Sequence, residues 1–169
     1  GHGGELESWQ REKLVRGGRD GDKSMVGGMV NAIGGRGVFG VELMINGDEV
    51  YFADVTVCPA GSAWVTVRSQ RLSVFELQAR AILGLAVDTL MISPGAARVI
   101  NPDHTAGRAA VGAAPPADAL TGALGVPESD VVIFGRGLGV ALATAPEVAI
   151  ARERAREVAS RLNVPDSRE

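Results

Sequence analysis

The sequence is short of the features that mark secreted, membrane-bound or nucleic-acid-binding proteins. It has one cysteine, Cys58, so no intramolecular disulfide can form, as suits a chain kept in a reducing compartment. Aromatic residues are 4% of the 169, so a core has to be assembled from Val, Leu, Ile, Ala and Met. Basic residues are not in excess: 17 Lys and Arg stand against 20 Asp and Glu, a formal net charge of -3. The basic face that a nucleic-acid binder uses is therefore not expected. No apolar run reaches the roughly 18 residues of a membrane-spanning helix. The N-terminus has no charged stretch leading into an apolar one, so no signal peptide is expected. These absences point to a cytoplasmic location and to no nucleic-acid or membrane partner.

What is present suffices for a packed domain. Hydrophobic residues make up 46% of the chain, which also contains 23 glycines. Gly1, His2 and Gly3 read as a tag remnant, and residues 1–21 as a polar lead-in in which Trp9 is a packing anchor. Apolar residues at Met25, Val26, Met29, Val30 and Ile33 fit one face of a helix over 22–33, weakened by Gly27 and Gly28. Two strands, Val38 to Ile45 and Glu49 to Cys58, flank Asn46-Gly47-Asp48, a hairpin turn. Alternation sets Glu42 on one face of the first strand. It groups Val50, Phe52, Asp54 and Thr56 on one face of the second, so Glu42 and Asp54 are neighbours if the register allows. Trp64 to Arg68 reads as a short extended piece.

Ser73 to Leu83 is the clearest helix. Ser73 and Glu76 form a capping box, Phe75, Leu77, Ala81 and Ile82 build the apolar side, and Gly84 ends it. A strand at Ala96 to Ile100 precedes an Ala/Gly/Pro loop over 101–116. A short helix over 116–124 follows, then strands at 131–134 and 138–143. A last helix runs over 146–162, with Thr144 as its N-cap. The order is an α+β pattern.

Several of these stretches resemble the formate-dependent phosphoribosylglycinamide transformylase family of ATP-grasp enzymes. The stretches are ELESWQ (Glu5 to Gln10), GGRGVFGVELMINGDEVYFADV (Gly34 to Val55), WVTVRSQRLSVFELQARAILGL (Trp64 to Leu85), AARVI (Ala96 to Ile100) and LGVALATAPEVAIARERAREVAS (Leu138 to Ser160). They match collinearly from about Glu5 to Ser160, and the match is to the C-terminal part of the family. The resemblance implies the C-terminal half of an ATP-grasp module over 22–92, a small C-terminal β/α domain over 93–164 and a tail over 165–169. It implies ATP cleavage coupled to formylation of glycinamide ribonucleotide, with ATP and Mg²⁺ as cofactors. The two acidic residues that hold the metal in the family fall on Glu42 and Asp54, the second a glutamate in the family and one methylene longer. One of a family pair of arginines near the substrate phosphate falls on Arg136, with Gly137 in place of the other.

Departures cluster in one loop. Where the family carries an arginine, a histidine and an aspartate, this chain carries Cys58, Ala60 and Gly61. Charge-assisted hydrogen bonds that position substrate are lost with them. The family's substrate-binding domain and the front half of its ATP-grasp module are not in these residues, and a single wall cannot enclose a nucleotide.

Each residue also has a plainer reading. Glu42 and Asp54 can be surface carboxylates, Arg136 a hairpin-turn arginine with an anion-binding turn as the alternative, Cys58 a semi-buried thiol and His104 a loop residue. Gly34-Gly35-Arg36-Gly37 precedes a strand and is not a nucleotide fingerprint. Two functions remain. The chain is a truncated homologue of the transformylase, inactive alone and partnered by a missing N-terminal half. The alternative is a non-catalytic binding or oligomerisation module of the same fold, covered by a second copy.

Overall fold

The computed structural model describes residues 7–10, 32, 34–47, 49–57, 59, 61–100, 115–135 and 138–162. The helix expected over 22–33 lies outside them except for Ala32. Cys58, His104, Arg136 and Gly137 also lie outside them.

The elements are β1 (Glu7–Gln10), β2 (Gly40–Asn46), β3 (Glu49–Thr56), a 3₁₀ turn (Gly61–Val65), α1 (Thr66–Ser69), α2 (Val74–Leu83), β4 (Gly95–Ile100), α3 (Ala117–Leu124), β5 (Ser129–Gly135), β6 (Leu138–Thr144) and α4 (Val148–Leu162). Among the described residues these form two antiparallel sheets, a four-stranded one in the order β1-β4-β6-β5 and the two-stranded ribbon β2-β3. The lead-in thus contributes an edge strand, Trp9 pairing with Ala96.

The four-stranded sheet is covered on both faces. Ala141 of β6 and Ile100 of β4 pack with Ala123, Val126, Val158 and Leu162 beneath α3 and α4. Ala96 and Ala143 meet Ala151 and Ala155 of α4. On the other face Ala97, Val140 and Leu142 pack with Val65, flanked by Trp64 and Val67. Strands buried on both faces lose the polar alternation of a half-solvated strand, which is why β6 reads as a continuous apolar run.

Four local expectations are corrected. Residues 64–68 are helical, although Val65, Thr66 and Val67 are β-branched. Thr66 Oγ1 donates to Ala63 O at 2.6 Å and Ser69 Oγ donates to Val65 O at 2.9 Å. Burial of Val65, Thr66 and Ser69 outweighs weak strand propensity. Thr144 is not an N-cap but the last residue of β6, paired with Gly95, and its N–H donates to Glu128 O at 2.9 Å. Ile82 does not join the buried side of α2, being 60% exposed where Val74 and Leu77 are buried. The fourth correction, on β3, determines the site.

The cap of α2 is as the sequence predicts. Ser73 Oγ accepts from Glu76 N–H at 3.2 Å, Glu76 Oε2 accepts from Ser73 N–H at 3.0 Å, and Gly84 closes the helix in the left-handed region.

Candidate functional site

The ribbon β2-β3 begins at its turn. Gly47, with φ of 63°, takes the left-handed conformation that a tight hairpin reversal needs. From there Asn46 pairs with Glu49, Ile45 with Val50, Met44 with Tyr51 and Leu43 with Phe52. The register then shifts, and pairing resumes as Glu42 with Asp54, Val41 with Val55 and Gly40 with Thr56. Ala53 is the extra residue of a bulge, which bends a strand and re-aims its side chains.

This bulge makes the acidic pair. In an uninterrupted register Glu42 would face Ala53, and Asp54 would pair with Val41. With one residue added, Glu42 and Asp54 are direct cross-strand partners on one face. Phe52 and Asp54, expected on a common face of β3, are separated by the extra residue and fall on opposite faces.

Direct cross-strand partners have Cβ atoms about 4.5–5.5 Å apart, and like charges there are destabilising. A cation between two such carboxylates reverses the sign of that interaction. Asp54 Oδ1 also accepts the Val55 N–H at 2.7 Å.

The pair lines an open cleft of about 340 Å³ together with Gly40, Val41, Thr56 and Ser62. Gly40 permits a close approach: a Cβ there would lie 2.6 Å from Thr56 Oγ1, so the hydroxyl would have to move. The side-chain donors are all hard oxygens, two carboxylates and two hydroxyls. Mg²⁺ is commonly held by one or two carboxylates completed by phosphate oxygens and water, and this set fits it. Among the described residues no group of three or more His, Cys, Asp or Glu comes together.

Two braces hold the cleft that the sequence alone did not reveal. The Val38 N–H donates to Gln78 Oε1 of α2 at 2.5 Å, which fixes the chain just before β2. A Cβ at Gly37 would meet the same amide oxygen at 3.1 Å. Trp64 packs between Phe75 of α2 and Phe134 of β5, both ring centroids 4.8 Å away. It thereby pins the 3₁₀ turn that carries Ser62. The signal for this second brace was a large aromatic in a chain with few of them. The Gln78 contact left no periodic trace. Arg136 lies outside the described residues, so only Glu42 and Asp54 of the three expected site residues are seen together.

The bulged carboxylate hairpin, followed by a small sheet with helices against it, is the C-terminal portion of an ATP-grasp fold. A solved structure of N5-carboxyaminoimidazole ribonucleotide synthetase from Thermotoga maritima shares that fold. Its TM-score is 0.69 at 21% identity, over 82% of this chain and 40% of that one. No family model matches the chain. The formate-dependent phosphoribosylglycinamide formyltransferase of Rhodococcus jostii is 44% identical over 164 residues, 93% of this chain and 39% of the relative. That of Methylococcus capsulatus is 45% identical over 164 residues, 93% of this chain and 40% of the relative. A solved structure of glycinamide-RNase-transformylase T from Mycobacterium tuberculosis has 80% sequence identity and a TM-score of 0.80, over 96% of this chain and 47% of that one. Over nearly all of its length the chain is thus homologous to the C-terminal part of formate-dependent phosphoribosylglycinamide formyltransferases. It spans about 40% of the length of the curated relatives it matches.

Proposed function

We propose that this chain supplies the carboxylate wall of an Mg²⁺–ATP site for formate-dependent formylation of phosphoribosylglycinamide, and that it has no activity without the remainder of the family fold. The observation that carries this reading is the direct opposition of Glu42 and Asp54 across the bulge. Glu42 and Asp54 would hold the Mg²⁺, with the hydroxyls of Thr56 and Ser62 beside them. A bound Mg²⁺ would offset the charge of nucleotide phosphates. Gln78 and Trp64 keep the two sides of the cleft in register. Arg136 is assigned to the substrate phosphate on family resemblance. The reading carries with it a cytoplasmic location. Among the described residues no helix is long and apolar enough to cross a membrane.

The second reading, a non-catalytic module, is favoured by one feature: Cys58, Ala60 and Gly61 leave the loop after β3 without charged side chains. One experiment separates the two. The chain is co-expressed with the preceding portion of the Rhodococcus jostii relative, and Mg²⁺-dependent ATP binding and formate-dependent turnover are measured. The first reading expects both from the pair and neither from the chain alone. It also expects Glu42→Gln and Asp54→Asn each to weaken Mg²⁺-dependent ATP binding by roughly tenfold or more, the scale of losing a metal-site group. Turnover by the isolated chain, or wild-type ATP binding in both variants, would overturn it.

A further inference from the structure

The segment from Ile82 to Ile92 ties its backbone to the body of the protein and turns its large apolar side chains outward. The Leu85 N–H donates to Arg80 O at 2.8 Å, the Arg71 N–H to Leu90 O at 2.9 Å and the Ile92 N–H to Ser69 O at 2.8 Å. Arg80 Nη1 donates to Ala86 O at 3.2 Å, and Arg71 pairs with Asp88. Yet Ile82, Leu83, Leu85, Val87, Leu90 and Ile92 are each more than half exposed. Single exposed apolar residues are ordinary, but six within one short strap form a patch of the kind that marks an interaction site. A strap pinned by its main chain is also preorganised, so little ordering remains to oppose binding.

We propose that this strap is the docking surface for the part of the formyltransferase fold that precedes the matched region in the relatives, whether that part is joined to the chain or separate. The inference rests on the functional reading above and adds the place of contact. Two observations select this occupant over a second copy. About 60% of the length of the curated relatives lies outside the match, since the chain covers 39% and 40% of them. The strap also begins with the last two residues of α2, Ile82 and Leu83, and α2 braces the carboxylate ribbon through Gln78. An occupant seated there abuts the element that fixes the cleft, and the cleft lacks its other wall. A second copy would bring another half-site of the same kind.

The test uses this chain, tagged and co-expressed with the preceding portion of the Rhodococcus jostii relative, without nucleotide or Mg²⁺. We expect the partner to copurify with the wild-type chain and with Ile150→Asp, a control on exposed α4 surface. Recovery should fall at least tenfold with Leu85→Asp, Val87→Asp and Leu90→Asp combined. Hydrogen exchange in the wild-type pair should slow across 82–92 relative to the chain alone, which decides the matter even if the triple variant folds poorly. Undiminished copurification of a folded triple variant would overturn the proposal, as would exchange protection confined to other regions. So would self-association of the wild-type chain through 82–92. None of these readouts involves the carboxylates, so docking can fail while the Mg²⁺–ATP reading stands, and the reverse.

Discussion

Two antiparallel hairpins among the described residues, β5-β6 and β2-β3, are similar in length and opposite in surroundings. In β6, Val140, Ala141, Leu142 and Ala143 are each at most 1% exposed, because helices cover one face of the sheet and the 3₁₀ turn with α1 covers the other. In β2-β3, Met44, Tyr51 and Phe52 are 61%, 48% and 40% exposed. The first ribbon is shaped by packing. The second is shaped by a glycine turn, a bulge and a side-chain amide brace, and it carries the only two expected site residues that are described. Packing and the acidic pair are thus held in different ribbons, and two carboxylates that repel each other are tolerable where little packing depends on them.

The sharpest way to break this comparison is to truncate one large side chain in each ribbon. Leu142→Ala empties a fully buried position between Val140 and the 3₁₀ turn. Large-to-small changes of this kind destabilise by about 2–5 kcal/mol. Phe52→Ala removes a larger side chain from a partly exposed position, and about 1 kcal/mol or less is expected. Urea unfolding of the two variants should separate their midpoints clearly, with equal m-values. Equal losses would mean that the hairpin is packed as firmly as the sheet.

A middle-sized effect sharpens the link between the regions. Ser73 caps α2, and α2 braces the hairpin through Gln78. Ser73→Ala should cost about 1 kcal/mol in the same urea measurement. It should also speed hydrogen exchange at the Val38 amide more than at amides of β6. A uniform change across both regions would show that α2 supports the whole fold and not the ribbon in particular.

Much of this was legible in the sequence because it is written locally. Asn46-Gly47 announced a reversal, Ser73 with Glu76 a helix start, and LGVALATA a strand. The pairing of Glu42 with Asp54 was visible as a possibility, since each sits at a plausible position on its strand. What was not visible is the extra residue at Ala53. A bulge adds no distinctive side chain, so simple alternation grouped Phe52 with Asp54 when the register separates them. The helical conformation of residues 64–68 is hidden in the sequence for a related reason. Its β-branched residues carry a weak local preference, and burial against the sheet decides otherwise. The Gln78 brace joins positions 40 residues apart, a distance over which neither periodicity nor capping rules carry information.

The smallest effect lies in the exposed strap and is a matter of pH. Asp88 is held below the ordinary carboxylate range, first by the side-chain hydrogen bond from Arg71 and then by the Leu90 N–H. Glu76 is held below it too, first by the Ser73 N–H and then by the Ser73 hydroxyl. A carboxylate depressed in the folded state binds protons less readily than in the unfolded chain. Its contribution is therefore complete above the unfolded value of about 4 and is lost as the pH falls through the lowered folded value. Both groups are solvent-exposed and screened, so the slope they add should be shallow. Stability measured from about pH 6 to about pH 3 should decline less steeply in Arg71→Met than in the wild type, because Asp88 then titrates closer to its ordinary value. High salt should narrow the difference, since exposed pairs are screened by ions. Parallel slopes at low salt would mean that the Arg71–Asp88 pair does not help to fasten the strap. The apolar face at 82–92 would then depend on its main-chain hydrogen bonds and on the Arg80 contact to Ala86 O.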